Sequence, residues 1–291
     1  MEYETFKDTI TEKLKSSLEE GRTLCLHTAE KLNGVVLDAL TIKDKEHDTA
    51  PTFYIQDLFA LYSSGTSMDE IAAFADEAVS AAWEYDEEKP DLLSFESVKD
   101  RICCYIVNTA ANEKLLAGIP SARFLDLSVI FRILLQNTGT SGHITIDNMI
   151  LKKWGKSVNE LLRIAALNTR KLNAVKVCPI SQAIAEKTLT DNLELDAEGS
   201  SLQVITSQSG AYGAIYITDK VIMDQLCSQF DDDLVIIPSS IHEILVMPAK
   251  FAERSKIDKV IEEVNEAVID AREYLSDHSY IYNREMRRMT I

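Results

Sequence analysis

The segment Asp233–Pro248, DLVIIPSSIHEILVMP, consists of two apolar runs separated by a short polar stretch. The run Asp233–Ile237 is apolar on both faces, as expected of a central strand. Pro238 cannot donate a backbone hydrogen bond to a neighbouring strand, so the strand should end there. Ser239 and Ser240 favour a turn because their hydroxyls can bond to nearby backbone groups. The segment therefore predicts a hairpin of two antiparallel strands.

The second strand of this hairpin is expected to begin at Ile241, and strand alternation then assigns its side chains to two faces. One face would carry Ile241, Glu243, Leu245 and Met247, and the other His242, Ile244 and Val246. Glu243 would then share a face with three apolar side chains. A carboxylate in that position lies either in water at the rim of the sheet or buried with a partner.

The rest of the chain also mixes strand pairs with helices. Residues 22–42 (RTLCLHTAEKLNGVVLDALTI) predict a hairpin around Asn33-Gly34, and residues 201–219 (SLQVITSQSGAYGAIYITD) predict a strand pair with a Ser-Gly turn. Helical periodicity predicts an N-terminal helix with Phe6, Ile10, Leu14 and Leu18 on one face. It also predicts a long final helix with a buried stripe of Ile257, Val260, Ile261, Val264, Ala267, Val268 and Ala271.

Because these elements do not follow a steady βαβ alternation, the expected fold class is α+β, with mixed, largely antiparallel sheets and packed helices. The expected boundary between domains lies near residues 172–202, where the polar stretch TLTDNLELDAEGSS precedes the last β-rich block. We therefore expect an N-terminal α+β region over residues 1–172. A C-terminal α+β region over residues 173–291 would end in the long helix. One continuous domain is the alternative.

Composition limits the cellular compartments and the classes of partner that are expected for the chain. The chain has 291 residues, a formal net charge of −17 and a pI near 4.7, so its surface as a whole repels phosphate backbones and anionic lipid heads. The N-terminus lacks the apolar core of a signal peptide, and the apolar run Leu127–Leu135 is interrupted by Arg132 and is too short to span a bilayer. We expect a cytoplasmic protein whose five cysteines are free, buried thiols: Cys25, Cys103, Cys104, Cys178 and Cys227.

Sequence motifs for common chemistries are absent. The chain has no phosphate-binding loop, no dinucleotide-binding glycine turn and no nucleophile elbow, and no second histidine follows His242-Glu243 at metalloprotease spacing. Five histidines dispersed along the chain do not suggest a metal site. The acidic stretch Asp69–Asp100 predicts a solvated helix face and loop, with a cation or partner site as the alternative. It lacks the spacing of a calcium-binding loop. No cofactor and no metal are predicted.

The polar stretch inside the hairpin is the first candidate site, formed by Ser239, Ser240, His242 and Glu243. A serine nucleophile with His242 as its base would need an acid to orient the imidazole. Because His242 and Glu243 are consecutive in the expected strand, their side chains diverge, and the sequence names no other acid. The stretch is therefore interpreted as a turn with structural polar contacts. A site for a small ligand or protein partner is the first alternative, and a hydrolase site is the second.

The second candidate is a pair of short helices over residues 147–176, with a turn at Trp154-Gly155. Between Lys152 and Lys176 it carries the one basic island of an acidic chain, with Glu160 as the only acid. An ordinary helical hairpin with solvated lysines explains it, and contact with nucleic acid or with an acidic partner is the alternative. The bases are Lys152, Lys153, Lys156, Arg163, Arg170, Lys171 and Lys176.

Four segments resemble an uncharacterised bacterial family of clostridia and their relatives, known only as a domain of unknown function. They are YIQDLFALYSSGTSMDEI (Tyr54–Ile71), NEKLLAGIPSARFLDL (Asn112–Leu127), DLVIIPSSIHEILVMP (Asp233–Pro248) and EYLSDHSYIYNRE (Glu273–Glu285). The resemblance covers nearly the whole chain and implies a cytosolic bacterial protein. It implies no activity, and no functional residue can be transferred from it.

The function that the sequence favours is a non-enzymatic binding or regulatory module for a protein or a small ligand. The alternatives are a hydrolase that uses Ser239 or Ser240 with His242, and nucleic-acid binding through the basic helix pair at residues 147–176. Nucleic acid is the less expected partner because of the net charge, and no membrane partner is expected.

Overall fold

The computed structural model describes residues 1–46, 50–84, 91–135, 142–188 and 201–291. Its helices are α1 (Tyr3–Ser17), α2 (Ile55–Ser63), α3 (Met68–Glu84), α4 (Phe95–Val98), α5 (Glu113–Gly118), α6 (Asn148–Trp154), α7 (Val158–Leu172), α8 (Ile180–Thr188), α9 (Lys220–Phe230) and α10 (Arg254–Ala267). Its strands are β1 (Thr23–Glu30), β2 (Val36–Lys43), β3 (Thr52–Tyr54), β4 (Ile102–Asn108), β5 (Ser121–Phe124), β6 (Leu127–Leu135), β7 (Gly142–Thr145), β8 (Val175–Pro179), β9 (Gln203–Ser207), β10 (Leu234–Pro238), β11 (Ile244–Pro248), β12 (Tyr280–Asn283) and β13 (Arg288–Thr290).

These elements form antiparallel sheets packed with helices, which confirms the α+β fold class. The chain divides into two compact units, Met1–Pro90 and Asp91–Ile291. The domain boundary expected near residues 172–202 lies inside the second unit. Most of its polar stretch, residues 189–200, is outside the described residues, as are residues 85–90 of the acidic stretch Asp69–Asp100.

In the first unit, α1, α2 and α3 pack with a sheet of order β1-β2-β3. Phe6, Ile10 and Leu14 on α1 are fully buried, as their four-residue spacing predicts. Asn33 and Gly34 both have positive φ, 60° and 70°, between β1 and β2. The hairpin predicted from Asn-Gly is therefore confirmed, because these two residue types tolerate that backbone conformation better than the others do.

The described residues of the second unit form two sheets. In one, β4, β6 and β5 pair in that order and β7 pairs with the far end of β6. The other has the strand order β13-β12-β10-β11-β9-β8, which places the hairpin of Asp233–Pro248 at its centre. Helix α7 packs against β4, where the backbone N–H of Cys104 donates to Thr169 Oγ at 2.8 Å. Thr169 thus joins the helix to the sheet.

The helix pair predicted from residues 147–176 is present as α6 and α7. Asp147 Oδ1 accepts a hydrogen bond from the N–H of Ile150 at 2.7 Å, and Gly155 adopts the left-handed conformation (φ 63°) that ends α6. Ser157 and Glu160 form a reciprocal capping box at the start of α7. The two boundaries of α6 and the start of α7 therefore follow from the chemistry of the capping residues.

The expected strand pair of residues 201–219 is only half correct. Its first half is β9, but Gly213–Thr218 forms a 3-10 helix, buried from Gly213 to Ile217. Gly213 lies so close to β9 that a Cβ would overlap with the backbone of Thr206. Tyr212 precedes it with φ 58°. A short apolar run fits a buried helix as well as a strand, so periodicity alone could not separate the two.

The final helix also differs from the prediction. Helix α10 ends at Ala267, and of the expected stripe only Ile261 is buried. Val260, Val264 and Val268 are 55%, 39% and 75% exposed. The apolar spacing was read correctly as helical, but it did not show how far the helix would be covered by other elements.

Candidate functional site

The polar stretch of the central hairpin is a five-residue loop. Strand β10 ends at Pro238, as predicted. Strand β11 begins at Ile244 and not at Ile241, and Ile244 is the residue that pairs with Pro238 across the hairpin. The expectation that His242 and Glu243 point to opposite faces of a strand is therefore wrong. Both lie in the loop.

The hydroxyl of Ser240 forms a hydrogen bond within this loop. Ser240 Oγ accepts a hydrogen bond from the backbone N–H of His242 at 3.0 Å, and the N–H of Ser240 donates to the carbonyl of Glu243 at 3.2 Å. Ser240 is 6% exposed, whereas Ser239 is partly exposed. The turn chemistry expected of the two serines is thus carried by Ser240.

His242 connects the loop to two distant segments. Its Nδ1 accepts a hydrogen bond from the backbone N–H of Tyr212 at 3.0 Å, and its Nε2 lies 3.2 Å from Glu273 Oε1. Its carbonyl accepts from the N–H of Gly213 at 2.9 Å and from Thr206 Oγ at 3.0 Å. Glu273 is the orienting acid that the sequence could not name.

Both ring nitrogens of His242 therefore have partners other than a serine. Among the described residues, no hydrogen bond joins a serine hydroxyl of this loop to the imidazole. A general base must reach the proton that it removes, directly or through one water. In this structure the imidazole instead joins the loop to Tyr212 and Glu273. The candidate residue Glu243 is half-buried and has interactions of its own.

Arg132 projects from β6 into a group of aromatic rings. Its guanidinium carbon lies 4.9 Å from the ring centroid of Tyr105 and 5.7 Å from that of Tyr212. The Tyr212 ring also contacts His143 at 5.6 Å and His242 at 5.1 Å between centroids. The arginine is 6% exposed and its Nε has no hydrogen-bond partner.

This burial is costly, because a cation removed from water needs a counter-charge or hydrogen bonds. Burial lowers the pKa of the Arg132 guanidinium, and the nearby tyrosines oppose that shift. No ion pair between Arg132 and a carboxylate occurs in the part of the chain that the structure describes. The sequence signal was the single arginine inside the apolar run Leu127–Leu135.

A pocket of about 300 Å³, which we call the α7 pocket, lies beside α7 in the second unit. Its walls are mostly apolar, and its polar groups include the Arg170 guanidinium and the Asp219 carboxylate, 2.7 Å apart. The lining residues are Cys104, Ala122, Arg123, Phe124, Val129, Leu162, Ala166, Thr169, Arg170, Ile215, Tyr216, Thr218 and Asp219.

A second pocket of about 240 Å³, the cationic pocket, adjoins the α7 pocket. Arg123, Phe124 and Thr218 line both pockets. None of the lining residues that the structure describes is acidic. They are Arg123, Phe124, Leu125, Ile217, Thr218, Lys220, Met223, Tyr282, Arg288 and Met289.

The Cys104 thiol and the Tyr216 phenol in the α7 pocket are held in their neutral forms. Burial raises the pKa of the Cys104 thiol to about 12, and a hydrogen bond with Thr169 opposes the shift. Burial also raises the pKa of Tyr216 to about 12. Since the thiolate is the nucleophilic form of cysteine, Cys104 is inert near neutral pH and acts as a small apolar wall.

The basic helix pair is partly neutralised by nearby acids. Arg170 pairs with Asp219, Lys176 pairs with Glu186, and Lys156 lies 3.5 Å from Glu160. The other candidate bases are exposed and have no ion pair among the described residues: Lys152, Lys153, Arg163 and Lys171. The structure thus brings one of the seven candidate bases, Arg170, into the α7 pocket.

Two further properties bear on the class of site. The described residues contain no group of three or more histidine, cysteine, aspartate or glutamate side chains placed to hold a metal ion. Within the same residues, no helix has the length and the apolar character needed to cross a membrane.

The resemblance segments of the second unit meet in the fold. Tyr280 OH donates to Asp126 Oδ1 at 2.9 Å, joining the fourth segment to the second. Asn283 Nδ2 donates to Asp233 Oδ2 at 2.9 Å, and the Glu273 carbonyl accepts from the N–H of Ile241, joining the fourth segment to the third. These motifs therefore form one connected network.

Comparison with known proteins gives a family without an assigned function. No curated protein and no solved structure matches the chain. One family model, described as a family of unknown function (DUF5688), matches residues 3–284. This match confirms the resemblance to a domain of unknown function, and the chain belongs to the DUF5688 family.

Proposed function

We propose that this protein is a non-enzymatic binding module for a small organic ligand, which it holds in the α7 pocket. The observation that carries the proposal is a mostly apolar pocket of about 300 Å³ with a few polar groups among its lining residues. Small-molecule sites have this character: apolar walls supply most of the contact, and a few fixed polar groups orient the ligand.

The polar groups of the pocket are fixed before any ligand arrives. Asp219 caps α9 by accepting from the N–H of Val221 at 3.0 Å and is also paired with Arg170. Tyr216 OH donates to the carbonyl of Asn173 at 2.6 Å. A site that is already ordered loses less conformational entropy when it binds.

Binding is favoured over catalysis because the pocket offers no activated nucleophile. Cys104 is protonated, and the imidazole of His242 is engaged by Tyr212 and Glu273 in another part of the unit. The proposed setting is a bacterial cytoplasm. The five cysteines are free, which fits a reducing compartment.

The experiment is a fluorescence titration with N-phenyl-1-naphthylamine, an uncharged aromatic probe. Ala166 lines the pocket, so Ala166→Trp should fill it and raise the dissociation constant at least 10-fold. Leu167 is the next residue on α7, is 70% exposed and does not line the pocket. Leu167→Trp is therefore the matched control and should bind like the wild-type protein.

Two outcomes would overturn this proposal. One is the absence of saturable probe binding, or equal binding by Ala166→Trp and Leu167→Trp. The other is robust turnover across a hydrolase panel that Ser240→Ala abolishes, because that result would make the loop catalytic.

A second candidate site lies beside the Ser239–Glu243 loop, and the burial of Arg132 favours it. A small anion bound next to Arg132, Tyr105 and Tyr212 would supply the counter-charge that the described residues do not. Acetate at constant ionic strength should raise the unfolding temperature of the wild-type protein but not that of Arg132→Met. An equal response of the two proteins would contradict this second site.

A further inference from the structure

The two adjoining pockets differ in charge. The α7 pocket is lined mostly by apolar groups, and its acid, Asp219, is bound by Arg170. The cationic pocket is lined by Arg123, Lys220 and Arg288 without any acidic side chain. Such a concentration of positive charge is unusual in a chain with a net charge of −17.

The cations of this pocket have no carboxylate partner within the part of the chain that the structure describes. Among the described residues, no ion pair is formed by Arg123, Lys220 or Arg288. The nearby arginines behave differently: Arg284 lies 2.6 Å from an oxygen of Asp231, and Arg287 pairs with Asp224. Two acids of this unit, Asp231 and Asp224, thus form their ion pairs with Arg284 and Arg287.

Arg123 stands at the boundary between the pockets and is held in place. Its Nε donates to the carbonyl of Leu125 at 2.6 Å, and the Leu125 backbone has φ 56° in the turn between β5 and β6. This hydrogen bond uses one donor and leaves the two terminal nitrogens of the guanidinium to face a ligand. Arginine presents these donors in a planar arrangement that suits carboxylate and phosphate groups.

We propose that the ligand is an organic anion whose apolar body occupies the α7 pocket and whose acidic group binds Arg123, Lys220 and Arg288. The inference rests on the proposed function and adds the chemical class of the ligand. Repulsion by the distant acids does not prevent this binding, because charges separated by more than about 8 Å are largely screened at physiological salt. The local cations therefore determine which charge the site accepts.

The test compares two probes that differ by one sulfonate: neutral N-phenyl-1-naphthylamine and its anionic analogue 1-anilinonaphthalene-8-sulfonate. The wild-type protein should bind the sulfonate more tightly. A charge-assisted hydrogen bond contributes roughly 1.5–3 kcal/mol, so Arg123→Gln or Arg288→Gln should weaken sulfonate binding about 10-fold or more. Binding of the neutral probe should change less than about 2-fold.

Arg284→Gln is the matched control for Arg288→Gln, since Arg284 is also exposed but does not line the pocket. It should leave the affinity for both probes unchanged. Ala166→Trp should weaken both probes, which separates binding in the pocket from non-specific adsorption.

The outcomes distinguish this inference from the function on which it rests. Neutral-probe binding that Ala166→Trp abolishes, with no preference for the sulfonate, would overturn the anion class and leave the binding function standing. Sulfonate binding that depends on the cations but not on Ala166 would overturn the α7 pocket as the site for the apolar body. No binding of either probe would overturn both.

Discussion

The Ser239–Glu243 loop and the pair of pockets beside α7 lie in the same unit but use their polar groups in opposite ways. In the loop, the hydroxyl of Ser240 and both ring nitrogens of His242 bond to other parts of the protein. In the cationic pocket, Arg123, Lys220 and Arg288 have no acidic partner among the described residues. The loop looked like a site in the sequence, whereas the pockets did not.

The comparison shows that polar residues within an apolar segment first have to form hydrogen bonds inside the protein. Their presence alone does not identify a functional site. A buried polar group must be satisfied, and the protein satisfied those of the loop internally. An exposed cation can remain in water at little cost, so its lack of a partner leaves it available to a ligand. The following substitutions test this contrast by their effects on stability.

The largest effect is expected from Gly213→Ala, which disrupts the packing beneath the loop. A Cβ at Gly213 would overlap with the backbone of Thr206, which cannot move as a flexible side chain can. We expect a loss of about 3 kcal/mol or more in the free energy of unfolding, measured by urea denaturation. Gly118→Ala places its Cβ in open space and is the control. A stable Gly213→Ala protein would show that the close approach is not required.

His242→Ala should have the next largest effect. It removes the acceptor of the Tyr212 N–H and the partner of Glu273, and the expected loss is about 1–3 kcal/mol by the same measurement. Ser239 has no hydrogen bond among the described residues, so Ser239→Ala should lie within about 0.5 kcal/mol of the wild-type protein. Equal losses in the two variants would remove the structural distinction drawn between these residues.

Arg132→Met should cost little or should even stabilise the protein, by up to roughly 1–2 kcal/mol. Replacing a buried cation that lacks a carboxylate partner by an apolar side chain of similar length removes a desolvation penalty. Unfolding in urea without added anions provides the measurement. A large loss of stability would mean that the contacts with Tyr105 and Tyr212 outweigh that penalty.

The smallest effect is expected from the exposed pairing of Asp224. Arg287, and to a lesser extent Tyr282, lowers the pKa of the Asp224 carboxyl below its usual value of 3.8. The carboxylate therefore contributes stability that is fully present above pH 3.8 and is lost as the pH falls through the lower folded-state pKa. Asp224→Asn should lower the unfolding temperature slightly at pH 7. This difference should shrink below pH 4, and a constant difference across that range would argue against the linkage.

Local chemistry accounts for what could be predicted. Asp147 and Gly155 fixed the two ends of α6, the Ser157–Glu160 capping box fixed the start of α7, and Pro238 ended β10. Each of these residues acts on backbone groups a few residues away. The start of β11 was misplaced by three residues because the loop is held by Ser240 and by the distant Glu273. Alternation could not show either contact.

The sequence by itself determined the α+β class, the central antiparallel hairpin, the capped helix pair, the unpaired cysteines and the acidic net charge. These depend on side-chain spacing, turn chemistry and composition. The tertiary structure alone decided that Glu273 engages His242, that Arg132 lies among aromatic rings, and that Arg123, Lys220 and Arg288 line one pocket. The physical reason is distance along the chain. These groups are brought together by the packing of sheets and helices, and a local pattern of residues does not specify which distant surfaces will pack together.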